Sequence, residues 1–170
     1  MFPDYENKLH EINTWIWLVS VIAPMVMYGI KIGSRSYYIA AVVWVLSQFI
    51  NLRIEPFLNE FVSSSDDNLI YWYATWATLD VLCIFVIFFV HWRHKISIGF
   101  TSLSIMVAYS LLALLQTIRH FELDLFGTHH LTQLYTVGIN TGNIAITVII
   151  TMPLLIFIWK NKLSQRNQNV

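Results

Sequence analysis

The sequence predicts an all-α, polytopic integral membrane bundle of five transmembrane helices, with the N-terminus outside and the C-terminus in the cytoplasm. Three observations carry this expectation. Apolar residues make up 56% of the 170 and charged residues 12%, against roughly 25% charged in an ordinary soluble domain. A soluble fold of this size exposes too much surface to hide that composition. The apolar residues also gather into runs that reach the length, about 20 residues, needed to cross about 30 Å of hydrocarbon. Finally, the connections between the runs alternate between basic and acidic. Length suits one membrane-embedded domain, residues 1–170.

Each run reads as a helix because every backbone donor and acceptor inside hydrocarbon must be satisfied within its own segment. The first helix is expected over 12–32. Asp4, Glu6 and Glu11 outnumber Lys8 ahead of it, so it lacks the basic n-region of a signal peptide and reads as a retained helix. The second, over 36–52, is short and carries Gln48 and Asn51; a re-entrant or interfacial segment is the alternative there. The 55–61 segment mixes apolar and acidic residues and suits the outer interface. The polar 63–68 loop offers an Asp or Asn cap just before Leu69. The third, fourth and fifth helices are expected over 69–91, 96–118 and 133–159, followed by a short basic cytoplasmic tail at 160–170. Pro24 and Pro153 each remove a backbone donor inside a helix and should bend it.

Orientation follows from the charges. The connections after the first and third helices, with the tail, hold seven basic residues and no acid: Lys31, Arg35, Arg93, Lys95, Lys160, Lys162 and Arg166. The N-terminus and the 53–68 and 119–132 connections hold three, Lys8, Arg53 and Arg119, against nine acids. Basic residues in short loops mark the cytoplasmic side. A four-helix arrangement lacking 36–52 would put Lys31 and Arg35 beside the acidic 53–68 loop, so the alternation supports the short second helix. Trp15, Trp17, Tyr71, Trp72, Tyr73 and Tyr135 fall near the outer ends, and Tyr28, Tyr37, Tyr38, Trp92 and Trp159 near the inner ends. Both sets read as interface anchors. The expected location is a cell membrane of the bacterial inner-membrane type.

Asp80 is the sharpest polar feature, near the midpoint of the third helix. Translocon scales set about 2.5–3.5 kcal/mol against Asp at that depth. No Lys or Arg falls inside an expected span apart from Lys31 at the inner end of the first, so Asp80 should carry its proton or face a wet cavity. It reads either as a proton or cation site or as a neutral acid bonded across a helix interface. Polar stripes on other helices, with Met106 and Ala113 among their members, recur at steps of three and four, which puts each on one face. These are Trp44, Gln48, Asn51 and Glu55; Ser102, Met106, Tyr109, Ala113, Gln116 and His120; and Thr136, Asn140, Asn143, Thr147 and Thr151. Gln48, Asn51, Gln116, Asn140 and Asn143 all fall in the outer half, with Asp80 below them. A pocket open to the outer face is one reading of these residues. Interhelical glue, averaging about 0.6 kcal/mol per contact, is the other. Gly138 and Gly142, with Ala145 on the same face, form a small-residue stripe for close helix packing, expected within the bundle rather than against a second copy.

No metal or cofactor is expected. His129 and His130, with Asp124 nearby, do not supply a tetrahedral ligand set. His91 and His94 are expected to meet lipid phosphate beside Arg93, and no histidines face one another at depth as haem would require. The lone Cys83 excludes an internal disulfide. No familiar catalytic fingerprint is present, which weighs against an enzyme, and balanced charge gives no sign of nucleic acid. The function expected is a small transporter-like or ligand-binding membrane protein using Asp80, Gln48, Asn51, Gln116, Asn140 and Asn143. A single chain of this size is slight for alternating access, so a homodimer is expected. The alternative is a non-catalytic subunit that anchors, regulates or protects a membrane protein partner, with lipid as the other contact. An intramembrane enzyme acting on lipid is a third reading.

Overall fold

Where apolar side chains cover every face of a run, the backbone is driven to satisfy its own hydrogen bonds as helix. A computed structural model describes residues 3–65, 68–128 and 130–168, with side chains over 15–16, 18–65, 68–128 and 130–166. It contains α1 (Pro3–Gly29), α2 (Arg35–Ser63), α3 (Leu69–Arg93), α4 (Phe100–Phe121) and α5 (Thr132–Gln168), with a π-helical turn, Glu122–Phe126, after α4. No strand occurs among the described residues. Asp66, Asp67 and His129, and the side chains of Asp4, Glu6, Lys8, Glu11 and Trp17, lie outside them.

Four helices, α2 to α5, are long and apolar enough to cross a membrane, and the described part of α1 adds a shorter apolar stretch, Leu18–Gly29. Successive helices pack side by side. Helix α5 also packs against α1, which closes a ring, and α2 touches α4 across it. Trp44, Tyr109, Met27, Ile87, Ile105, Ile146 and Ile150 fill the centre. Large apolar side chains such as Val81, Phe85, Leu111 and Leu155 point outward and are exposed. So broad an apolar exterior is foreign to a soluble monomer and fits a hydrocarbon solvent.

The bundle has two chemically distinct ends. The basic end carries the α1–α2 and α3–α4 connections and the last turns of α5. The acidic end carries the α2–α3 and α4–α5 connections. At the basic end, Gly33 adopts φ 111°, a conformation L side chains rarely take, while Ser34 caps α2 by accepting the Tyr37 N–H at 3.1 Å. At the acidic end, Glu122 accepts from the guanidinium of Arg119, from Leu131 N–H at 2.9 Å and from the Thr128 hydroxyl at 3.2 Å. One buried carboxylate thereby organises the whole turn between α4 and α5.

Several expectations are corrected. Helix α2 does not stop at 52 but runs to Ser63 through Pro56, so the 55–61 segment is its last turns rather than a separate surface strip. Ile54, Phe57, Leu58 and Phe61 recur at i, i+3, i+4 and i+7, which keeps the amphipathic pattern going, and Leu58 is buried. At about 1.5 Å per residue, the 29 residues of α2 are longer than the roughly 30 Å hydrocarbon thickness of a bilayer. Helix α5 continues past 159 to Gln168, so the basic tail is helical over 160–168. Helix α4 begins at Phe100: the chain turns at His94 and Lys95, where Ile96 N–H bonds the His91 carbonyl at 2.9 Å, and 96–99 are not helical.

His91 does not meet lipid phosphate. It is 2% exposed, with Nε2 2.8 Å from Ser36 Oγ and Nδ1 2.7 Å from the Ile87 carbonyl. Ser36 Oγ also accepts Gly99 N–H at 2.8 Å and lies 2.8 Å from Ser102 Oγ. This cluster joins α2, α3 and α4 at the basic end. Not every aromatic is an interface anchor either. Tyr37 and Tyr73 are buried, and the Tyr37 hydroxyl donates to the Ile150 carbonyl at 3.0 Å.

The G-x-x-x-G stripe packs against α4. A Cβ added at Gly138 would stand 2.7 Å from Leu115 Cδ1, and one at Gly142 2.5 Å from Leu112 Cδ2. Ala145 is half-buried one turn further on.

Candidate functional site: a polar cavity at the acidic end

Helical spacing brings polar groups from four helices to one space. Helix α2 contributes Gln48, Asn51, Leu52 and Glu55; helix α3 contributes Trp72, Trp76, Leu79 and Asp80. Leu112 and Gln116 come from α4, and Tyr135, Ile139, Asn140 and Asn143 from α5. The cavity they line has a volume of about 380 Å³, within the range of small-molecule sites. Asp80, Gln48, Asn51, Gln116, Asn140 and Asn143 thus share one cavity, although they are spread over nearly a hundred residues of chain.

Part of the lining is held in place. Trp72 Nε1–H donates to the Tyr135 hydroxyl at 3.3 Å, which donates to Gln116 Oε1 at 2.8 Å. This relay links α3, α5 and α4 and sets the rotamers on three sides. Asn140 turns its Nδ2 back to the Thr136 carbonyl at 2.8 Å.

Two acceptors in the lining lack a donor. Asn51 Oδ1 is buried and unpartnered, an arrangement native proteins usually avoid. Among the described residues, the Asp80 carboxyl accepts no hydrogen bond and joins no ion pair, and no Lys or Arg lines the cavity. The two nearby arginines are engaged elsewhere. Arg119 pairs with Glu122, and Arg53 lies over the Phe49 ring at 5.4 Å.

Toward the basic end the bundle is closed. The rings of Trp44 and Tyr109 pack at 5.9 Å, and Ser47 Oγ meets the Tyr109 hydroxyl at 2.8 Å. Trp44 Nε1–H donates to Ser20 Oγ at 3.0 Å, and Ser20 Oγ lies 3.0 Å from Thr147 Oγ1. Every one of these polar groups has a partner, so this layer is a packed floor. At the other end the lining reaches Glu55, which is exposed, so the cavity faces the acidic end.

Sequence reasoning missed the aromatic part of the lining. Trp72 and Tyr135 read as interface anchors, and Trp76 was assigned no role. The signal was available: Trp72, Trp76, Leu79 and Asp80 follow the steps that put residues on one helix face. Among the described residues, no group of three or more His, Cys, Asp or Glu side chains is placed to hold a metal ion. No protein-family model matches the chain, and neither a curated protein nor a solved structure matches it.

Proposed function

We propose that this chain is a small multi-pass membrane protein that admits a solute to the acidic-end cavity, where Asp80 exchanges a proton or holds a cation and the amides orient the bound molecule. In this reading all five helices cross a cell membrane, with the acidic end outside and the basic end in the cytoplasm. The seven-to-three division of basic residues between the two ends supports that orientation. The observation that carries the proposal is the cavity itself: four helices line one space of ligand size with amide and carboxyl side chains, and the carboxyl group of Asp80 accepts no hydrogen bond. Interhelical glue would leave these groups bonded to each other, as they are at the Ser36–His91 cluster. Here the amides of Asn51 and the carboxyl of Asp80 keep unfilled acceptors. A transport cycle in so small a chain would call on a second copy to complete alternating access.

Thiol accessibility tests both orientation and access. In a Cys83→Ala background, Asn51→Cys should react with a membrane-impermeant maleimide added outside, and Lys95→Cys only with reagent on the cytoplasmic side. Labelling of Asn51→Cys from the cytoplasmic side alone, or from neither side, contradicts the reading.

A further inference from the structure

Resting on that reading, we infer that the cavity takes a small organic ammonium ion, its positive nitrogen set between the Asp80 carboxyl and the faces of Trp72, Trp76 and Tyr135.

The lining has the charge of a cation site. Asp80 and Glu55 are its only ionisable carboxyl groups, and no basic side chain shares the space. An anion would find no countercharge here and would meet Asp80. A neutral solute would fill the amides and leave Asp80 unanswered. A positively charged solute answers it, and in a low-dielectric setting that pairing is worth far more than in water.

A bare metal ion is not the best occupant. Hard cations need several oxygens closing in at 2.0–2.6 Å or so, whereas this lining is spread around a volume of about 380 Å³. Much of it is hydrocarbon or aromatic ring. Trp72 and Trp76 stand edge to face with centroids 5.5 Å apart, and Tyr135 stands edge to face with Tyr73 at 5.4 Å. Aromatic faces attract ammonium groups, and quaternary ammonium ligands are recognised by such rings. Leu79, Leu112 and Ile139 add surface on which methyl or methylene groups lose water. The amides of Gln48, Asn140 and Asn143 remain for a hydroxyl or carbonyl elsewhere on the same molecule. A carboxylate, several indole or phenol rings, apolar filler and neutral amides together describe a molecule that is cationic at one end, greasy in its body and weakly polar at the other.

Isothermal titration of the protein in nanodiscs tests this with three probes: choline, its uncharged isostere in which carbon replaces the quaternary nitrogen, and sodium ion. The expected result is saturable binding of choline, weaker by at least about tenfold for the isostere, with no competition from sodium at equal concentration. Trp76→Leu and Asp80→Asn should each weaken choline by about tenfold or more, while Asp80→Glu retains binding. Binding of the isostere as tight as choline, still sensitive to Asn140→Leu, overturns the ammonium assignment and leaves the solute-site reading standing. Binding of none of the probes overturns the ammonium assignment, and the solute-site reading falls with it if Asn51→Cys is also unlabelled from outside.

Discussion

The Tyr135 hydroxyl donates to Gln116 Oε1 at 2.8 Å while accepting from Trp72 Nε1–H. A single phenol thus spans three helices at the side of the cavity. Tyr135→Phe removes one acceptor and one donor and strands a buried glutamine oxygen. The expected loss is about 1 kcal/mol, within the range for a net hydrogen bond in proteins. Thermal unfolding of the variant in a fixed detergent checks it, and an unchanged midpoint would show that the relay is not formed.

Asp80 separates a site from a structural bond by its effect on stability. A carboxyl with no partner is buried at a cost, and residues kept for function commonly destabilise the fold that carries them. Asp80→Leu should therefore leave the unfolding midpoint unchanged or raise it. If the carboxyl were interhelical glue, the same change would lower stability by about 1 kcal/mol or more.

The two glycines of α5 set its distance from α4. A methyl group at Gly142 meets Leu112 Cδ2 at 2.5 Å, and the contact can be relieved by turning that side chain. Gly142→Ala should cost about 1 kcal/mol, at the low end for overpacking, and Leu112→Ala in the same chain should recover part of that loss. A double-mutant cycle on thermal stability measures the coupling; strict additivity would show that the two residues are not in contact.

At the basic end, Ser36 Oγ is shared by His91, Gly99 and Ser102. Ser36→Ala leaves a buried ring nitrogen and a backbone N–H without their partner, which costs about 1–3 kcal/mol. Choline binding per folded molecule should be untouched, because the cluster lies on the far side of the Trp44–Tyr109 floor. Parallel unfolding and binding measurements on the one variant check both halves.

What could be read from the chain follows the strength of its periodicity. The apolar runs around Asp80 and Gly142 are long and continuous, and the helices there begin close to where the runs begin. The second helix was harder to bound, because Gln48, Asn51, Arg53 and Glu55 interrupt its hydropathy. Yet Gln48, Asn51 and Glu55 are what put polar groups on the cavity face, while Ile54, Leu58 and Phe61 carry the helix onward. The polar steps on α2, α4 and α5 foretold which side chains would share a face, though not what that face would meet. His91 and Tyr73 were misplaced for one reason: aromatic and imidazole rings near a helix end fit an interface as well as they fit a core, and only tertiary contacts decide. The partner of Arg119 was also hidden. Its pairing with Glu122 is an i,i+3 contact that helical spacing allows, but an expected helix end at 118 left both residues in a connection.

The most direct measurement is ion movement in proteoliposomes under an imposed membrane potential, with internal pH as the readout and Asp80→Asn compared with the unaltered protein at matched insertion. The account predicts proton flux above that of empty liposomes, altered when choline occupies the same carboxyl group, and its loss in Asp80→Asn. Equal flux in the two proteins, or no flux above empty liposomes with or without choline, would contradict an exchange site at Asp80.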